Sequence, residues 1–120
     1  MPRYKVTPLD GVTLIEFEGI VENRRFWWLG ALDALILRGH RDFVVSFEKA
    51  RLQDFGDARL VSAIAEHVVG HDGRVVFVPP PWRRGAARVR SAAHSSHVPA
   101  AQTVELALAT IRRGGPPTPP

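Results

Sequence analysis

Few side chains in this sequence have both the type and the spacing that chemistry requires. His67 and His71 stand four residues apart, one helical turn, and His94 and His97 bracket two serines in His94-Ser95-Ser96-His97. Imidazole ligates metals well, but a metal centre needs three or four converging donors. No carboxylate partner at ligand spacing is obvious for either pair, and the chain has no Cys, so these read as helix-end and loop histidines. Ser62, His67 and Asp57 are nucleophile, base and orienter by type, yet Ser62 lacks the strained Gly-x-Ser-x-Gly elbow that exposes a catalytic hydroxyl. No Gly-rich loop is available to cradle a phosphate, for Gly114-Gly115 lies in the tail. Catalysis, a bound metal and a cofactor are therefore not expected. What remains is the turn Leu52-Gln53-Asp54-Phe55-Gly56-Asp57, with two carboxylates, one aromatic ring and no nucleophile.

Charge is the other chemical asymmetry. Residues 1–81 hold ten Lys/Arg against eleven Asp/Glu, a net of −1; residues 82–120 hold six Arg against Glu105 alone, a net of +5. This is either a solvated helix face and a basic tail root, or a place near Arg83, Arg84, Arg88 and Arg90 where an acidic partner or an anion docks. A basic patch outside any known nucleic-acid module is a poor case for nucleic-acid binding. No apolar run approaches the ~20 residues of a membrane span, and Met1-Pro2-Arg3-Tyr4-Lys5 lacks the apolar segment of a secretory signal. With no Cys, a cytoplasmic protein is expected.

The elements that must position these groups follow from periodicity. Tyr4 to Thr7 reads as a short edge strand stopped by Pro8, and Asp10-Gly11 as the turn of a hairpin. Val12 to Glu18 alternates, with Ile15 and Phe17 opposite Glu16 and Glu18; Gly19 closes the strand, which Ile20-Val21 extends briefly. Asn23 suits the N-cap of a helix from about Arg24 to Arg38 with Trp28, Leu29, Leu32, Leu35 and Ile36 inward. Phe26, Trp27, Ala31, Ala34 and Leu37 make most of its other surface apolar, so this helix is either deeply buried or committed to a partner through Trp27 and Leu37.

Phe43 to Phe47 reads as a central strand covered on both faces. It leads through residues 52–57 to a helix capped by Asp54 or Asp57, striped with Leu60, Val61, Ile64, Ala65 and Val68, and stopped by Gly70. Asp72-Gly73 turns into the strand Arg74 to Val78, which Pro79-Pro80-Pro81 ends. A helix from Trp82 to Ala93, with Trp82, Ala86, Val89 and Ala93 inward, precedes a loop or very short strand at His94 to Pro99 and a last helix at Ala101 to Arg113. The Gly/Pro-rich residues 114–120 read as a disordered tail behind one domain of residues 1–113. The order demands an α/β fold: a mixed, mostly parallel central sheet with about four helices.

In element order, in Gly19 after the second strand, in the central strand followed by Leu52-Gln53-Asp54-Phe55-Gly56, and in the strand Gly73 to Val78, the chain resembles the STAS domain over roughly Tyr4 to Arg113. That family includes bacterial anti-sigma factor antagonists, stressosome proteins and the ends of sulfate transporters. Its most specific element is a loop, usually Asp-Ser-(Ser/Thr)-Gly, opening the second helix; in antagonist members a partner kinase phosphorylates the Ser after the Asp, and this switches partner binding. Here Asp54 matches the Asp and Phe55 stands at the serine, while Gly56 and Asp57 stand where Ser/Thr and Gly are usual.

The resemblance implies a non-enzymatic interaction module with a partner such as a serine kinase of the anti-sigma type, another STAS protein or a second copy. The expected surface is Gln53, Asp54, Phe55, Gly56 and Asp57 with the outer face of the following helix, Ala58, Arg59, Ser62 and Glu66. Switching at the usual serine is not expected, because Phe55 carries no hydroxyl. The rival reading is a small module holding an anion or nucleotide at that helix N-terminus.

Overall fold

The computed structural model describes residues 3–21, 29–52 and 56–113. Within them a four-stranded sheet of order β1-β2-β3-β4 is joined by four helices. β1 (Arg3–Leu9) and β2 (Val12–Val21) form an antiparallel hairpin. Asp10 and Gly11 both take positive φ, 48° and 86°, the left-handed pair whose twist matches that of the strands it joins. β1 runs through Pro8 instead of stopping there. Leu9 and Val12 flank the two-residue turn and exchange the closing bonds, so Thr7 and Lys5 are the next bonded positions. The Pro8 nitrogen therefore faces the open edge, and no ladder donor is lost.

β3 (Asp42–Leu52) and β4 (Arg74–Val78) add in parallel, so the sheet is mixed and mostly parallel as expected. Between the Glu16–Ser46 and Glu18–Lys49 pairs β3 spends one residue more than β2, a bulge that sets Phe47 and Glu48 against Phe17. Gly19, at φ 76°, lies inside β2 rather than closing it. The open edge of β4 is covered by one bridge at Ala100, where the Phe77 amide donates to the Pro99 carbonyl and the Ala101 amide to that of Phe77. Of residues 94–99, expected as a loop or very short strand, His94 and Ser95 complete the helix at Arg83–Ser95 and the rest form the connection ahead of the bridge at Ala100.

Two apolar layers hold the sheet. Ile15, Phe17, Phe43, Val45, Phe47, Val75 and Phe77 face α1 (Leu29–Leu37), α2 (Gly56–Val69) and α3 (Arg83–Ser95). On the other face Val12, Leu14, Val44, Val76 and Val78 meet Ala107 and Ile111 of α4 (Val104–Arg112). Alternation along each strand divides the layers, and burial of each large side chain contributes about 1.5–3 kcal/mol. The two buried polar side chains of the strands are satisfied: Thr13 bonds the His40 imidazole at 2.5 Å, and Ser46 Oγ accepts from the Glu48 amide at 3.3 Å.

In α1, Leu32 and Ile36 are buried, with Leu29 and Leu35 packed against the core; Asn23, Trp27 and Trp28 lie outside the described residues. Gly39 ends this helix at φ 97°. α2 ends at Val69, but the left-handed residue beyond it is Asp72, at φ 60°, and not Gly70. α3 begins one residue later than expected and ends two later, its exit turned by His97 at φ 58° so that Val98 returns an amide to Ala93. α4 begins at Val104 rather than Ala101, because the Thr103 hydroxyl caps it by accepting from the Leu106 amide at 3.1 Å.

Candidate functional site

The parallel strands β3 and β4 both deliver the chain at their carboxyl ends to the N-terminus of a helix, α2 and α3 respectively. In an open α/β sheet this is the rim where sites are built. Of the loop singled out by sequence, Gln53, Asp54 and Phe55 lie outside the described residues, whereas Gly56 and Asp57 open α2. Asp57 thus belongs to α2 itself and does not stand ahead of it as a cap.

Leu60, Val61, Ile64, Ala65 and Val68 turn one stripe of α2 into the core. That leaves Ala58, Arg59 and Glu66 exposed and Ser62 half-buried on the outer side. The structure therefore brings Ala58, Arg59 and Ser62 to one outward face at the strand rim. Ser62 is further occupied, accepting at 3.4 Å from the Ser96 hydroxyl at the end of α3. The two helices run side by side, Ala58 near Ala87 and Ser62 near Ser96, and leave a groove of about 490 Å³ between them.

Trp82 was expected on the inner face of its helix and is found elsewhere. It precedes α3 in extended conformation, φ −76° and ψ 130°, and is 49% exposed. Its indole donates to the Ala50 carbonyl at 3.2 Å, and the Arg51 guanidinium lies over its ring at 5.7 Å. Pro79-Pro80-Pro81 ends β4, but a helix can start directly after a proline, so the sequence carried no signal that Trp82 stands before the helix. The result ties the entrance of α3 to the end of β3, three residues before the loop at 53–55.

The histidines take structural places. His67 of α2 meets the Asp33 carboxylate of α1, a partner that sequence proximity did not suggest, and the His71 ring lies 5.0 Å from that of His67 while its Nδ1 meets the His67 carbonyl at 2.8 Å. Among the described residues no three His, Cys, Asp or Glu side chains converge as a metal site would need. No helix among them is long and apolar enough to cross a membrane. Ser62 and His67 are committed to Ser96 and Asp33, not to each other.

No family model and no curated protein matches the sequence. Solved structures do match its shape. A candidate anti-sigma factor antagonist from Thermotoga maritima superposes with a TM-score of 0.69 at 17% identity, over 92% of this chain and 95% of that one. An anti-sigma factor antagonist from Mycobacterium paratuberculosis gives 0.67 at 19%, over 93% and 95%. The anti-sigma factor antagonist SpoIIAA in its unphosphorylated form gives 0.66 at 14%, over 93% and 99%. With the hairpin, the parallel strands and the helix layers all in place over nearly the full length, the chain carries the STAS fold, the fold of the anti-sigma factor antagonists.

Proposed function

We propose that this chain is a non-enzymatic protein-interaction module of the anti-sigma factor antagonist type, held in one binding state and not toggled by phosphorylation at the loop ahead of α2. Its partner is a serine kinase of the anti-sigma type, another STAS protein or a second copy. The binding surface is the segment Gln53 to Asp57 with Ala58, Arg59 and Ser62. The observation that carries the reading is the outward face of α2 at the strand rim, on a fold shared with antagonist structures. It is joined by the sequence Leu52-Gln53-Asp54-Phe55-Gly56-Asp57-Ala58-Arg59, which offers no hydroxyl.

A phosphate at this position would add roughly −2 charge and three acceptor oxygens, enough to repel a close-fitting acidic partner. Phe55 supplies instead an aromatic side chain of the kind that anchors interface centres. The test is capture of the native partner by wild type and by Phe55→Ser, from cells at rest and under stress, with phosphorylation mapped by mass spectrometry. Wild type is expected to capture the same partner in both conditions, and Phe55→Ser to bind more weakly. Reversible phosphorylation of a nearby residue such as Ser62 that controls capture overturns the reading. So does saturable stabilisation by a nucleotide with no protein partner found.

A further inference from the structure

We propose that the cleft beyond the carboxyl end of β4, between α3 and the entrance of α4, binds a free amino acid with an apolar side chain. This site is distinct from the α2 face proposed for a protein partner. Its volume is about 420 Å³, and Pro79, Pro80, Pro81 and Ala86 form its apolar wall. The wall is set by the backbone. β4 runs directly into the three prolines, whose rings fix φ and which bring no N–H donor. α3 lies tight on this run at Gly85, where a Cβ would come within 2.9 Å of Pro80 Cγ. Ala86 follows, and Arg90 lines the cleft one turn further along the same stripe. On the opposite side the Ala101 amide donates to the Phe77 carbonyl, which holds the chain beside β4 and delivers Gln102 and Thr103 to the cleft. Glu48 of β3 completes the lining.

Two charged side chains line this cleft, Glu48 and Arg90, and they have opposite signs. They do not pair with each other, and among the described residues neither the Arg90 nor the Gln102 side chain has an ion-pair or hydrogen-bond partner. Glu48 receives only a long bond of 3.4 Å, from the Ser46 hydroxyl to one carboxylate oxygen. Thr103 Oγ accepts from the Leu106 amide, which leaves its own proton to donate. A molecule with both an ammonium and a carboxylate group answers Glu48 and Arg90 together. An anion alone would face Glu48, and a cation alone would face Arg90, each across a like charge. The proline and alanine wall then takes the side chain and removes its apolar area from water. Lys49, Arg88 and Glu105 are not among the residues that line the cleft. A nucleotide is the weaker fit, because its phosphates would share the space with Glu48.

The experiment is isothermal titration calorimetry of the full chain with L-leucine and L-phenylalanine. The controls are the amide of each, which lacks the carboxylate, and the N-acetyl form, which lacks the ammonium. Mildly acidic buffer keeps the amines protonated. At least one of the two amino acids is expected to bind saturably, with its amide and its N-acetyl form each about tenfold weaker or more. Arg90→Gln should erase the preference for the amino acid over its amide and keep that over the N-acetyl form. Glu48→Gln should do the reverse. Arg84→Gln, an exposed change on the same helix outside the cleft, should keep both preferences. Glu48 and Arg90 are exposed, so the variants should melt as wild type does.

The inference is overturned if neither amino acid binds saturably, or if wild type takes the amide or the N-acetyl form as tightly as the amino acid. Loss of both preferences in Arg84→Gln, or in Glu48→Gln and Arg90→Gln alike, also overturns it. So does ATP that binds more tightly than the amino acid and is weakened by Arg90→Gln.

Discussion

Phe47 is fully buried between two other rings, stacked on Phe17 at 5.4 Å and on Phe77 at 6.2 Å. Phe47→Ala opens a cavity between three elements that cannot readily collapse, at a cost of about 3–5 kcal/mol, a large part of the stability of a domain this size. Urea unfolding should show the midpoint fall with little change in slope. The Arg74–Asp42 pair lies at the opposite limit. Two charge-assisted bonds of 3.0 and 2.8 Å join the side chains, yet both are substantially exposed, so Arg74→Ala should cost at most about 1 kcal/mol. The hydrogen bonds that the guanidinium donates to the Asp42 carboxylate raise the Arg74 pKa above the ordinary value for arginine. The contribution is thus fully present below the unfolded value and is lost only in strong alkali. The stability difference between wild type and Arg74→Ala should stay flat from neutral to mildly alkaline buffer, as thermal melts across that range would show.

At the scale of elements, caps and turns decide where each helix presents its ends. Thr103 satisfies the Leu106 amide of α4, and its substitution by Ala should cost about 1 kcal/mol. Hydrogen exchange should locate the loss in the first turn of α4, leaving β4 as protected as before. These boundaries show how much the pattern of residues discloses. The apolar stripe of α2 was plain, since Leu60, Val61, Ile64, Ala65 and Val68 repeat at helical spacing. So was its end at Val69, just before Gly70, but the left-handed turns beyond α2 and α3 were not, because Asp72 and His97 carry what glycine usually carries. Trp82 misled for a related reason: an aromatic residue at helical spacing from Ala86 and Val89 looks inward, yet it stands one residue ahead of the helix.

For the whole molecule the open question is what covers the apolar surface that the chain leaves outside. Leu37 at the end of α1 is 87% exposed, and Trp27, its expected companion, lies outside the described residues. With one sheet edge bridged at Ala100 and the other carrying half-exposed Tyr4 and Val6, association through α1 would leave both edges unused. Light scattering is expected to show a species larger than the monomer, and Leu37→Glu to shift it towards monomer by placing a charge in the contact. Wild type that stays monomeric at high concentration returns Leu37 to the ordinary scatter of exposed apolar residues.

The α/β class, the hairpin, the strand–helix order and the inward stripe of α2 were legible in the sequence, because each follows from short-range periodicity and turn chemistry. The stretch 53–57 stands out in the sequence as a chemically dense turn without a hydroxyl, and of it the structure describes Gly56 and Asp57, which belong to α2. Only the tertiary structure decided which elements share a wall. The bulge opposite Phe17, the meeting of Asp33 with His67, the seating of Trp82 on Ala50 and the groove of Ser62 and Ser91 join residues far apart in the chain. Such pairs depend on crossover geometry and on the packing of one helix against another, and neither leaves a periodic trace in one stretch of sequence.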